Sequence, residues 1–214
     1  MAGAFEIDFR QRKIAGAIEV IAGIILAAGA SSRMGTPKAL LDYRGEAFLN
    51  RLIRVLGTVC DPLIVVLGYH ADEIRAVAAH GNARFVVNPD PARGQLSSLQ
   101  TALAEVPSEA EGFLFMPVDC PSAELSTVER IVDAFHAPAK PLLVIPRHEG
   151  NRGHPVCARR ELIEEFLALP AEGQAKEVVR RHTDRTHYLD TVDSGVLSDI
   201  DDPEAYRILQ ESAR

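Results

Sequence analysis

The sequence predicts a three-layer α/β/α domain built on a mostly parallel sheet. Two observations carry this. From residue 20 onward, short and fully apolar runs alternate with amphipathic stretches, which is the pattern of βαβ units. The first apolar run also opens directly onto a glycine-rich loop. A length of 214 residues allows one such domain with a full core.

Taken in order, Ile21–Ala27 reads as a buried strand and Ala47–Leu56 as a helix with apolar residues at helical spacing. The run 62–68 is a second buried strand, Ala71–Ala79 a helix and Arg84–Asn88 a strand. Residues 95–106 form a helix, 112–118 a strand, and 122–135 a helix with Ser122 as its cap. Residues 141–146 form a further strand. After Cys157 the order loosens. There 161–169 and 174–182 read as helices, 186–190 and 196–201 as short strands, and 203–211 as a closing helix. The sheet is Rossmann-like, so ligands are expected outside the carboxyl ends of its strands, after Ala27, Gly68, Asn88, Val118 and Pro146. Residues 20–214 are read as a single domain. Residues 1–19, mixed in charge, stand apart as an N-terminal extension that forms part of a helix or an added strand.

Composition narrows the function. The formal net charge of −7 argues against a protein that coats nucleic acid, yet leaves room for an anionic small substrate held by a few local cations. No apolar run approaches the length of a membrane span, and residues 1–13 lack the order of a secretory signal. The three cysteines are far apart and show neither a C-x-x-C pair nor zinc-ligand spacing. They read as buried apolar side chains in a reduced, cytoplasmic protein.

The loop after the first strand suits a polyphosphate. The small residues Ala27, Ala28, Gly29 and Ala30 let the backbone approach a ligand, with amide N–H groups turned inward as an anion nest. Gly29 and Gly35 are free to take positive φ. Arg33 supplies a fork of donors and Lys38 a compact charge for phosphate oxygens. Five residues separate Gly29 from Gly35, and Lys38 comes three later, so this is not a Walker loop, and no G-x-G-x-x-G is present. In the second loop, Gly94 precedes a helix whose first turn holds Ser97 and Ser98. These serines are placed either to contact a nucleobase or ribose, or to cap the helix.

Asp119, at the carboxyl end of a buried strand, must be paired, hydrogen-bonded or metal-bound. Mg²⁺, which takes one or two carboxylates plus phosphate oxygens, fits it. A second acidic cluster lies at 198–206. If extended, it puts Asp199 and Asp201 on one face and Ile200 on the other, while Asp202 or Asp201 caps the helix that begins at Pro203.

The string Leu26-Ala-Ala-Gly-x-Ser-x-Arg-Met-Gly-x-x-Lys38 resembles the signature of MobA-like nucleotidyltransferases, and within them the molybdenum cofactor cytidylyltransferases. The resemblance spans roughly residues 21–209. It implies a sheet of the nucleotide-diphospho-sugar transferase type. It also implies nucleotide contacts from Leu26, Ala27, Ala28, Gly29, Arg33, Lys38, Gly94, Ser97 and Ser98, with catalysis resting on Arg33, Lys38 and Asp119. By resemblance Asp119 is the metal aspartate, Asp199 the next ligand and Asp201 the alternative, although Cys120 replaces the Gln or Met usual after the first. The strings 26–29 and 94–99 imply CTP rather than GTP. The element Gly153-His-Pro-Val156 implies an acceptor site holding a phosphate or pterin group at His154, with positive charge from Arg152. The implied reaction is Mg²⁺-dependent transfer of CMP from CTP to a phosphate-bearing acceptor, molybdopterin, with release of pyrophosphate. A sugar or polyol phosphate acceptor and a nucleotide-binding module without turnover remain as alternatives. No nucleic acid and no membrane partner is expected.

Overall fold

A computed structural model describes residues 20–78 and 81–212. The N-terminal extension, 1–19, lies outside the described residues, as does Ala79 at the end of the helix expected from Ala71. The described chain begins with β1 (Ile21–Ala27), a small hairpin of β2 (Asp42–Tyr43) and β3 (Glu46–Ala47), α1 (Phe48–Leu56), β4 (Leu63–Leu67), α2 (Ala71–Val77) and β5 (Ala83–Val87). It continues through α3 (Gln95–Leu103), β6 (Gly112–Pro117), α4 (Leu125–Phe135), β7 (Leu143–His148), β8 (Asn151–Arg152) and β9 (Val156–Arg159). The last elements are α5 (Ile163–Leu167), α6 (Lys176–Arg181), β10 (Thr186–Asp190) and α7 (Pro203–Ser212).

The main sheet runs β10-β7-β9-β6-β1-β4-β5, with β8 paired to the end of β7. β1 is parallel to both neighbours, β4 and β6. β5 continues the parallel set beyond β4, and β10 runs parallel to β7. Only β9, between β6 and β7, and the short β8 run against this direction. All seven residues of β1 are buried because helices cover both faces of the strand, which explains its unbroken apolar run. Ile21, Ile25 and Ala27 face one core, shared with Phe48 and Leu52 of α1 and with Val128 and Phe135 of α4. Ala22, Ile24 and Leu26 face the other, shared with Leu96 and Leu99 of α3, Phe166 of α5 and Val178 of α6. The sheet is thus the middle of three layers. Cys60, Cys120 and Cys157 are free thiols, all buried.

Three expectations are corrected. Residues 196–201 are not a strand: Ser194–Leu197 is a 3-10 turn, and only the stretch after it is extended. Asp193 dictates this, because its Oδ1 accepts from the Gly195 amide at 2.8 Å and caps the turn. Ser122 does not cap a helix. α4 begins at Leu125, and the amide of Glu124 donates instead to Asp193 Oδ2 at 2.9 Å. Finally, the order expected to loosen after Cys157 does not do so at once: Val156–Arg159 is β9 in the middle of the sheet. Of the two residues expected to cap the start of the last helix, Asp202 does so: its Oδ1 accepts from the Ala205 amide at 2.9 Å.

Candidate active site

The carboxyl ends of β1 and β6 border a cleft of about 290 Å³. Its walls include Leu26, Ala27, Ala28 and Gly29, then Arg33 and Lys38, then Gly94 and Ser98, and finally Asp119 and Asp201. Ser97 does not line it. Asp199 stands beside it, and His154 and Arg152 are not among its walls.

The loop after β1 is shaped differently from expectation. Gly35 has a φ of +67°, but Gly29 is not in the left-handed region; Ser31 is, with a φ of +51°. A short polar residue tolerates this conformation when its side chain bonds locally. Ser31 does so, since its Oγ accepts from the Lys38 amide at 3.0 Å and its carbonyl from the Met34 amide at 2.9 Å. The loop is thereby folded back so that Lys38 faces the strand ends. Among the described residues, the N–H groups of residues 29–33 have no acceptor, so the turn leaves a row of donors for an anion.

The opposite wall is set by Asn88, which is buried. Its Nδ2 donates to Ser97 Oγ at 2.8 Å and to Ser98 Oγ at 3.0 Å, and its Oδ1 accepts from the Asp90 amide at 2.9 Å. Ser97 also donates to the Gly94 carbonyl at 2.8 Å. The two serines, alike in the sequence, are therefore separated by the fold: Ser97 is consumed by the loop, and Ser98 is left on the cleft wall. Gly94 makes the approach with φ +89° and ψ −170°, a region open essentially to glycine alone. A Cβ there would meet no atom within 4 Å, so the backbone conformation is the whole penalty of a substitution. Gly94→Ala is expected to lose about 1–3 kcal/mol in urea unfolding, and unchanged stability would contradict the strained conformation.

The acidic side brings together residues far apart in sequence. Ile200 is buried, and its amide donates to the Asp119 carbonyl at 3.1 Å. This bond holds the extended stretch beside the end of β6 and turns Asp199 and Asp201 outward. One carboxylate oxygen from each of Asp119, Asp199 and Asp201 lies within 4.8 Å of the others. Lys38 Nζ reaches into this group, donating to Asp119 Oδ2 at 2.9 Å and to Asp201 Oδ1 at 2.7 Å. Its side chain is only 13% exposed. Burial disfavours the ammonium, but the bonds to Asp201 and Asp119 outweigh it and hold the Lys38 pKa above its ordinary value. The hydrogen bond from Lys38 in turn depresses the Asp201 carboxyl. Asp199 has no donor among the described residues. Burial and the negative charges of Asp119 and Asp201 raise its pKa. Arg33 lies more loosely, 3.5 Å from Asp201 and 70% exposed.

A divalent ion fits this group. Hard cations of the Mg²⁺ or Mn²⁺ type take oxygen ligands at about 2.0–2.6 Å, so one ion can span the three oxygens with small side-chain rotations. The ammonium of Lys38, seated between two of the carboxylates, already stands in for a cation there.

The acceptor-side residues are not part of the cleft wall, although His154 lies within reach of the charge of Asp119. The His154 amide donates to the Val196 carbonyl at 2.8 Å. Its ring packs edge-on against Phe115, with centroids 6.2 Å apart, and its Nδ1 is buried without a partner among the described residues. Burial lowers its pKa, against the charge of Asp119 and a backbone hydrogen bond at Phe115, which raise it. Arg152 is exposed on β8 with its guanidinium 4.8 Å above the Tyr188 ring. Arg147, paired through two hydrogen bonds with Asp190, approaches the same ring at 5.7 Å. The sequence gives no role to the side chains of Asn88, Ser31 and Asp193. Asn88 appears there only as the last residue of a predicted strand and Ser31 only as a letter of the string 26–38.

Residues 23–186 match the family described as MobA-like NTP transferase domain. The chain is 26% identical over 190 residues to the molybdenum cofactor cytidylyltransferase of Escherichia coli K12, covering 88% of this chain and 94% of that protein. It is 30% identical over 199 residues to a Paenarthrobacter nicotinovorans protein named nicotine blue oxidoreductase, covering 88% and 96%. Among solved structures, Rv0371c of Mycobacterium tuberculosis H37Rv matches with a TM-score of 0.79 at 34% identity, covering 92% of this chain and 100% of that one. The same protein in complex with manganese matches with a TM-score of 0.72 at 30% identity, over 90% and 99%.

Proposed function

The chain belongs to the family of MobA-like NTP transferase domains, and on that premise we propose that it transfers CMP from CTP to a phosphate-bearing acceptor, molybdopterin, and releases pyrophosphate. One observation carries the reading: three carboxylates gathered within 4.8 Å, two of them on the cleft wall, share the cleft with a loop in which the N–H groups of residues 29–33 have no acceptor among the described residues. That is the charge arrangement a metal-bound triphosphate requires.

Asp119, with Asp199 and Asp201, would hold Mg²⁺, which when bound neutralises charge on the α-phosphate and its neighbours. The manganese complex of a relative supports a divalent ion in this family. The rest belongs to the protein. The N–H groups of residues 29–33, with Arg33 and Lys38, bind and orient the β- and γ-phosphates. Gly94 and Ser98 take the base and ribose end. An acceptor phosphate oxygen attacks the α-phosphorus in line. The bond from that phosphorus to the α,β-bridging oxygen breaks, and the electron pair leaves with pyrophosphate. The attacking group is already an anion, so no general base is needed, and catalysis rests on positioning and charge. His154 and Arg152 are assigned to the acceptor side. The imidazole, whose Nδ1 has no partner among the described residues, suits a hydrogen bond to a heterocycle, and the exposed guanidinium suits a phosphate. CTP is preferred over GTP on the strings 26–29 and 94–99 and on the cytidylyltransferase relative.

The test is pyrophosphate release with each of the four common triphosphates, with and without molybdopterin. Release with CTP only in the presence of that acceptor is expected. Release with a sugar or polyol phosphate instead moves the acceptor. Binding without release under every combination leaves a nucleotide-binding module. Because one relative is named nicotine blue oxidoreductase, redox turnover of nicotine blue is measured in parallel, and turnover there alone would overturn the transferase reading.

A further inference from the structure

The hydrogen-bond network under the cleft has a direction. The backbone N–H of Asp90 can only donate, so the Asn88 atom that faces it at 2.9 Å must be the carbonyl oxygen. The amide nitrogen of Asn88 therefore faces the serines, and its two hydrogens are spent, one on Ser97 Oγ at 2.8 Å and one on Ser98 Oγ at 3.0 Å. Ser97 passes its own proton to the Gly94 carbonyl at 2.8 Å. Ser98 accepts from Asn88 and has no acceptor for its proton among the described residues, while it lines the cleft. A hydroxyl that receives on its inner side offers its proton on the outer side.

We infer that Asn88 is a specificity-determining positioning residue: by donating to Ser98 it fixes that hydroxyl as a donor toward the cleft, so the nucleotide group seated there is a hydrogen-bond acceptor, such as a base carbonyl or an unprotonated ring nitrogen. The inference rests on the cleft being the triphosphate site. It distinguishes bases by the polarity of one edge: a ring N–H presented at this point is rejected, because two donors face each other and neither is satisfied.

The polarity can be reversed. In Asn88→Asp, the carboxylate keeps the Asp90 amide on one oxygen and accepts from Ser97 and Ser98 on the other. The Ser98 proton then turns inward and a lone pair faces the cleft. In Asn88→Ala, the Ser98 hydroxyl is free to rotate and no charge is buried, which guards against a failure of the aspartate variant to fold.

The experiment is calorimetric binding of each of the four triphosphates, with Mg²⁺, to the full chain as wild type, Ser98→Ala, Asn88→Asp, Asn88→Ala and the pairs that combine Ser98→Ala with each Asn88 change. For the preferred triphosphate, Ser98→Ala is expected to weaken binding about tenfold, Asn88→Asp by more than that and Asn88→Ala by about threefold. On the Ser98→Ala background, both Asn88 changes are expected to have no further effect. Asn88→Asp is also expected to narrow the gap between the preferred triphosphate and one that presents a ring N–H. A purely structural asparagine would weaken binding equally on both backgrounds and leave base preference alone, and that result overturns the inference. Wild-type protein that binds none of the four triphosphates overturns the functional reading itself, a distinct outcome from the additive one.

Discussion

Asp119→Asn is expected to lower pyrophosphate-releasing turnover by about 10³-fold, roughly 4 kcal/mol of transition-state stabilisation, at saturating nucleotide and metal. The substitution keeps the shape of the side chain and removes its charge. Asp119 is the member of the acidic trio fixed most firmly. It follows the buried strand β6, its side chain is 21% exposed, and its carbonyl accepts the Ile200 amide that brings the other two acids into place. An amide cannot replace a carboxylate as a strong ligand for a hard cation. The carbonyl bond to Ile200 survives, so the fold and the position of Asp199 and Asp201 are retained, and the melting temperature should move little. Turnover within about tenfold of wild type would contradict the assignment of Asp119 to the metal.

Lys38→Ala is expected to lower turnover by at least about tenfold, or 1.4 kcal/mol, through lost charge on the phosphates. The structure adds a second effect of opposite sign. The ammonium sits between Asp119 and Asp201 at 2.9 and 2.7 Å, where a divalent ion would have to displace it. Removing it with Lys38→Met, which keeps the apolar stem, is therefore expected to tighten Mn²⁺ binding to the nucleotide-free protein by about tenfold. In the working enzyme the triphosphate would draw Lys38 off the carboxylates and so couple metal binding to nucleotide binding. Calorimetry on the free protein reads the first effect and steady-state rates the second. Weaker Mn²⁺ binding in Lys38→Met, or wild-type turnover in Lys38→Ala, would show that Lys38 does not play this double part.

The parts of the molecule legible in the sequence are those governed by local periodicity or by a single strand end. The unbroken apolar run of β1, the small residues after it, and Asp119 after β6 all follow from short-range rules. So does the alternation that buries Ile200 and turns Asp199 and Asp201 outward. It survives although the stretch begins as a 3-10 turn rather than a strand. What was not legible depends on pairing across distance. Lys38 meets Asp119 across 81 residues and Asp201 across 163, and no spacing rule relates them. The four residues of β9 are too few for a periodic signal, and their place between β6 and β7 is a property of the sheet as a whole. Ser97 and Ser98 are adjacent and chemically identical, so only the position of Asn88 separates the serine that closes the loop from the one that faces the cleft. Ser31, rather than Gly29, carries the left-handed turn because its hydroxyl bonds the Lys38 amide, a compensation that propensity alone does not reveal.

The most direct test of the acidic trio as a metal centre is anomalous scattering from crystals of the protein grown with Mn²⁺ and CTP. The account predicts a manganese peak within about 2.0–2.6 Å of a carboxylate oxygen of Asp119 and of either Asp199 or Asp201, with phosphate oxygens completing the shell and Lys38 moved onto the triphosphate. A nucleotide seated in the cleft with its metal more than about 4–5 Å from Asp119, and Lys38 still bridging Asp119 and Asp201, would contradict it.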